Sequence, residues 1–262
     1  GQDQLDAAAG TYRELAKVSP LGASFAASGL ADLAVYQGRY GEAVRILRAG
    51  ATADVEAGSE DRAAAKYAAI ASAELLRGRR TEAVAAANRA LDLSQSPRVR
   101  FLAARVFAQA GETNEARAFA AMLAGVLQAE PRAYAKIVEA ELLLAAGDPR
   151  RAAAVLGESL ALVDTWIGRY TLGRAYVEAG AYAQADSEFD RAMKRRGEAL
   201  ALFLDEEPTY GFFPAVHYWQ GRVREGLGTA GYVESYRRYL AIRGNSTEDP
   251  LVADARKRAA AP

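Results

Sequence analysis

Few side chains in this sequence stand where chemistry could start. His217 is the only histidine. A general base or metal ligand needs partners, and no second imidazole and no cysteine exist to supply them. His217 therefore reads as a packing or hydrogen-bonding residue beside Tyr218 and Trp219. The run Asp205-Glu206-Glu207 offers carboxylates but lacks the alternating oxygen ligands of a calcium loop, and reads as a solvated acidic turn. Ser159 and Ser187 have no base at a recognisable spacing. Glycine-rich phosphate loops are absent. The expectation is a chain without enzymatic activity, taking no metal and no cofactor.

What remains is a set of arginines and tyrosines recurring along the chain, and their meaning depends on the elements that carry them. The clearest element is residues 166–192. It reads as two amphipathic helices broken at Gly180, with Leu172, Gly173 and Tyr176 on one face of the first and Ala185, Phe189 and Ala192 on one face of the second. Gly173 and Ala185 fall where the helices cross, Tyr176 and Phe189 fill the space beside them, and Gly180 supplies the positive φ that ends the first helix.

Further turn glycines fall at Gly38, Gly78, Gly111, Gly147 and Gly228, so that the successive spacings, Gly180 included, are 40, 33, 36, 33 and 48. Seven residues before each glycine stand Ala31, Ala71, Ala104, Ala140, Gly173 and Gly221. Five after the first five stand Ala43, Ala83, Ala116, Ala152 and Ala185. The last copy slips by about one residue, with Val233 at the small position. Small residues recurring at predicted crossings mark a repeat whose units must stack to bury their apolar faces.

The order Leu-Gly-x-x-Tyr followed by Gly-x-Tyr-x-x-Ala-x-x-x-Phe-x-x-Ala resembles the tetratricopeptide repeat, whose period is about 34 residues. The tryptophan that often opens such a repeat is replaced at its expected place by Arg169, and the closing proline is mostly missing. The resemblance implies an all-α solenoid of antiparallel helix pairs in a right-handed superhelix of about fourteen helices. One repeat domain then spans 1–262: an orphan second helix of an upstream repeat in 1–20, pairs at 21–57, 60–95, 97–129, 131–163, 166–204 and 214–243, and a capping helix at 248–260. The orphan helix makes the chain read as a fragment of a longer protein. Polar residues from Thr52 to Arg62 account for the spacing of 40, Asp148 reads as a helix cap, and Arg195–Leu204 as an extension of its helix before the loop at 205–214. The stretch Glu198–Arg243, through Phe203-Leu204-Asp205-Glu206-Glu207-Pro208-Thr209-Tyr210, Tyr218-Trp219-Gln220-Gly221-Arg222 and Glu234-Ser235-Tyr236-Arg237-Arg238-Tyr239-Leu240, resembles a C-terminal block of bacterial tetratricopeptide modules, some of them attached to eukaryotic-type serine/threonine kinases.

Composition narrows the partners. With 33 basic and 33 acidic side chains the net charge is zero, which gives no pull toward nucleic acid or anionic membrane. Apolar runs such as Leu142–Ala146 are far short of the about 20 residues of a membrane span. No signal segment is visible, and cytoplasm and periplasm both tolerate a chain without cysteine.

In the resembled family, function lies on the concave face, lined by the first helix of each pair. Six residues before the turn glycines stand Asp32, Ser72, Arg105, Glu141, Arg174 and Arg222; ten before include Phe101, Tyr170 and Tyr218; thirteen before include Arg98 and Tyr134. The expectation is a basic, aromatic strip of Arg98, Arg105, Tyr134, Glu141, Tyr170, Arg174, Tyr218 and Arg222 in the C-terminal half of the groove, binding a partner protein or peptide segment of mixed acidic and apolar character. The paired asparagines of chaperone-tail clamps are missing there, since the asparagines are Asn88, Asn114 and Asn245. A competing expectation is a ligand-sensing regulatory module of a larger signalling protein, either a kinase or a transcription regulator.

Overall fold

The computed structural model describes residues 4–200 and 210–260 and contains fourteen α-helices and no strand among them. They are α1 (Leu5–Val18), α2 (Pro20–Tyr36), α3 (Tyr40–Glu56), α4 (Glu60–Leu76), α5 (Arg80–Leu93), α6 (Pro97–Ala110), α7 (Thr113–Ala124), α8 (Ala129–Ala145), α9 (Pro149–Leu162), α10 (Trp166–Glu178), α11 (Tyr182–Lys194), α12 (Ala215–Gly226), α13 (Tyr232–Arg243) and α14 (Leu251–Ala259). Each helix packs on the next, and first helices of neighbouring pairs also touch, as α4 does α6 and α6 does α8. That is the packing of an α-solenoid.

Local chemistry sets the boundaries. All six turn glycines adopt positive φ, between 63° and 94°. Helices start where a hydroxyl or carboxylate meets an orphan amide: Ser19 accepts from Gly22, Ser96 from Val99, Asp148 from Arg151 and Thr165 from Gly168, three of these just ahead of a proline at the first helical position. The long first spacing has a different origin from the one the polar residues imply. Thr52–Glu56 are helical, and a further positive-φ glycine, Gly58, turns α3 into α4. The extra length lies in α3 and α4, each of 17 residues. Arg195–Leu200 also departs from expectation. A 3-10 turn, Arg196–Leu200, follows α11 instead of continuing it, and Arg195, the C-cap between them, donates to Asp164 and Glu198. Residues 201–209, with the rest of the expected extension and the acidic triplet, lie outside the described residues.

The core is thin and alanine-rich. All eleven crossing positions are buried, and adjacent backbones come close because nothing larger than a methyl separates them. Gly173 makes room for a ring rather than for backbone: a Cβ there would lie 2.8 Å from Cζ of Phe189. In the last pair Tyr236 fills the same role against Gly221. Two turn glycines, Gly228 and Gly231, lengthen that turn and shift α13 relative to the earlier second helices. Helix α10 itself opens on a tryptophan, Trp166, three residues ahead of Arg169. Trp166 donates to the Ala192 carbonyl at 3.0 Å and stacks on Tyr170.

The two ends of the stack meet. Arg243, at the end of α13 and 2% exposed, donates to the Val35 and Tyr36 carbonyls, the Tyr40 hydroxyl, the Asp249 carboxylate and the Gly211 carbonyl. Tyr40 donates to Asp249 at 2.8 Å. Ser246 donates to the Gly38 carbonyl, and Glu248 accepts from the Gly41 amide and from Arg77. Gly38 therefore serves twice, as a turn residue and as a contact surface, since a Cβ there would lie 2.8 Å from Cβ of Ser246.

Candidate functional site

The predicted row does not form an open strip. Glu141 on α8 lies at the centre, 2% exposed, and accepts from Arg105 on α6 at 3.1 Å, Gln109 at 3.2 Å and Arg174 on α10 at 3.4 Å. Arg105 is itself buried. The physical reason is charge order. Equivalent positions in three successive repeats carry Arg, Glu and Arg, and stacking brings them within reach, so the charges neutralise one another instead of facing solvent. Burial works against the Glu141 carboxylate, but the Arg174 and Arg105 guanidiniums outweigh it and hold its pKa below the ordinary carboxylate range.

The tyrosines are inner packing residues with satisfied hydroxyls. Tyr134 is buried, packs on Phe101 with centroids 4.2 Å apart and donates to Glu130. Tyr170 accepts from the Trp219 indole at 3.1 Å, and burial raises its pKa. Tyr218 donates to Asp254 on α14 and accepts from Arg222. Its pKa is raised by burial first and by Asp254 second. Arg98, Arg174 and Arg222 stay half-buried, with the Arg174 guanidinium over the Trp219 ring.

The helices also hold a piece of their own chain. The 3-10 turn Tyr210–Phe212 lies against α2. Asp32 accepts from the Gly211 amide at 2.9 Å, while Arg243 binds the carbonyl of the same residue. Phe212 lies beneath the Arg105 guanidinium at 5.5 Å. Phe213 is buried edge-on to His217, 5.6 Å away, which places the only histidine in packing. Ser159 donates to the Ala133 carbonyl in the core. Among the described residues no three histidine, aspartate or glutamate side chains cluster as metal ligands would, and no helix is long and apolar enough to cross a membrane.

Sequence reasoning missed Arg243, Tyr40 and Asp249. Nothing within the repeat that carries Arg243 names its partners.

With the glycine turns, the buried crossings and the stacked pairs in place, the solved structures supply the comparison. The crystal structure of the APC/C hetero-tetramer Cut9–Hcn1 contains a chain that superposes on 99% of this one with a TM-score of 0.52 and 16% identity. The fold is a tetratricopeptide-repeat solenoid. The present solenoid spans 46% of that chain's length. A weaker likeness, TM-score 0.36 and 10% identity, covers 90% of the solenoid and 79% of the P58(IPK) TPR domain chain. No family model and no curated protein matches the sequence.

The Glu141 cluster makes the solenoid acid-sensitive in a defined sense. A carboxylate whose pKa is lowered on folding adds stability above its unfolded pKa and loses it as pH falls through the folded value. The Glu141→Gln variant should be less stable than the parent at neutral pH. The two unfolding midpoints should converge as the pH drops below the ordinary carboxylate range. Nearby Glu178 is raised by burial and in part by the Glu141 charge, so glutamine at 141 relieves that repulsion and offsets part of the difference between the two proteins. Parallel midpoint-against-pH curves would remove Glu141 as the titrating group.

Proposed function

We propose that this solenoid is a non-enzymatic scaffold that binds a segment of a partner protein along its inner face. The observation that carries the reading is the grip on residues 210–213: a short segment between the repeat helices is held there by both its backbone groups and its rings, as a bound peptide would be. The half-exposed Arg98, Arg174 and Arg222 offer contacts to the partner. The buried Glu141 and Tyr218 hold Arg174 and Arg222 by hydrogen bonds, while Arg105, Tyr134 and Tyr170 pack behind them.

The test uses Arg98→Ala with Arg222→Ala, because Arg105 and Arg174 neutralise a buried carboxylate and their loss would confound folding with binding. A partner recovered by the parent should be lost by the double variant, and its recovery should fall with added salt, since partly exposed arginine contacts are screened. Equal recovery of every partner by both proteins removes these arginines from the binding surface. Ligand sensing, the second reading, has one observation in its favour. Where the ends of the stack meet, a cavity of about 520 Å³ is lined by Tyr36, Met193, Arg196, Phe213, His217 and Arg238.

A further inference from the structure

We propose that the inner-face site formed by Asp32, Val35, Arg105 and Arg243 docks a partner segment in which glycine precedes an aromatic residue, and that Gly211–Phe212 is the built-in occupant such a segment displaces. The inference rests on the scaffold reading and adds to it the chemistry of the partner.

Three features define that chemistry. First, both peptide groups of one residue are grasped: the Gly211 N–H by Asp32 and its C=O by Arg243. Were the site empty, the Asp32 carboxylate would lose this donor and the buried Arg243 guanidinium this acceptor, a cost that another stretch of backbone placed there would remove. Second, the grasped residue must be glycine. A Cβ on Gly211 would lie 2.9 Å from the Val35 Cβ and 3.1 Å from the Asp32 carboxylate oxygen, and would overlap the Val35 methyl. Third, the next residue must carry a ring. Phe212 offers its face to Arg105, and an aromatic face is what a guanidinium attracts.

The built-in occupant is beatable. Beside Phe212 a mostly apolar cavity of about 40 Å³ remains, bounded by Ala31, Val35, Ala68, Ser72 and Leu102. A tethered segment acts at an effective concentration on the order of millimolar. A free partner must therefore gain something the tethered one lacks, and a ring larger than phenylalanine that fills this space would supply it.

The test uses the full chain and a fluorescein-labelled heptapeptide, Pro-Thr-Tyr-Gly-Phe-Phe-Pro, read by anisotropy. Gly211→Val and Phe212→Ala should each expel the internal segment and bind the peptide at least tenfold more tightly than the parent does. Replacing the peptide's glycine with valine should cost at least tenfold, and so should adding Asp32→Asn to the Phe212→Ala chain. Should either variant lose its helical circular dichroism, the parent gives the answer: millimolar peptide should speed hydrogen exchange at the Gly211 amide. Folded variants that bind no better than the parent, a valine peptide that binds equally well, or unchanged exchange would each overturn the proposal. So would variants that dimerise without binding peptide, since the site would then take a second copy of the chain. Loss of peptide binding beside an intact arginine-dependent pull-down would sink this inference and leave the scaffold reading standing.

Discussion

Replacing Arg243 with methionine should destabilise the solenoid by about 3–5 kcal/mol, the range typical when one partner is stripped from a buried ion pair. Methionine keeps the bulk and flexibility of the side chain and removes only its charge and donors. Asp249, 7% exposed, would keep the Tyr40 hydroxyl but lose its counter-charge, and the Val35, Tyr36 and Gly211 carbonyls would each lose a donor. Burial disfavours the Arg243 cation, but Tyr40 and Asp249 outweigh it, so its pKa is raised and the charge is held at every ordinary pH. Burial, together with Asp249, likewise raises the Tyr40 pKa and keeps the phenol a donor. Guanidinium unfolding followed by circular dichroism measures the loss, and small-angle scattering should show a larger radius as the ends part. Arg243→Met combined with Asp249→Asn should be less damaged than the single variant, because the stranded charge is gone. A single variant that is as stable and as compact as the parent would show that the seam does not hold the stack closed.

Phe189→Ala should cost a similar amount, about 3–5 kcal/mol, for an unrelated reason. Phe189 is fully buried, fills the space left by Gly173 and meets Tyr170 edge-on at 6.3 Å. Truncation leaves a hole bounded by glycine, which has no side chain to relax into it. Because each repeat touches mainly its neighbours, the damage should be local. Hydrogen exchange should rise first in α10 and α11 and last in α4 and α5. A uniform rise would mean that the stack unfolds as one cooperative unit.

These two residues mark the limits of what was legible in the sequence. Phe189 could be read because its constraint is local: a glycine sixteen positions earlier, a turn glycine between and small residues at fixed offsets form a pattern that repeats. Turns and crossings follow from backbone geometry within one unit and leave their trace in every copy. Arg243 could not be read, because its partner Tyr40 lies 203 residues away and the pairing occurs once. The inner row is an intermediate case. Its residues lie on α6, α8, α10 and α12, but the buried state of Arg105 and Glu141 is an inter-repeat property. Opposite charges at matched positions in adjacent repeats were a signal for it, since 36 residues separate the two and the third member, Arg174, follows 33 residues later. Gly211 and Phe212 carried no periodic signal, because they belong to the insertion.

The meeting of the two ends also bears on how such a chain changes through duplication. An open array gains or loses a unit with little penalty, since each new copy brings its own interface and leaves the others alone. Between Tyr40 and Arg243 that freedom is gone. One unit more or fewer would carry Arg243, Ser246 and Glu248 away from Val35, Gly38, Gly41 and Arg77, breaking at one stroke a set of bonds that no single repeat contains. Descendants of this chain should therefore vary in loop length and inner-face side chains while the number of helices between those two residues stays fixed.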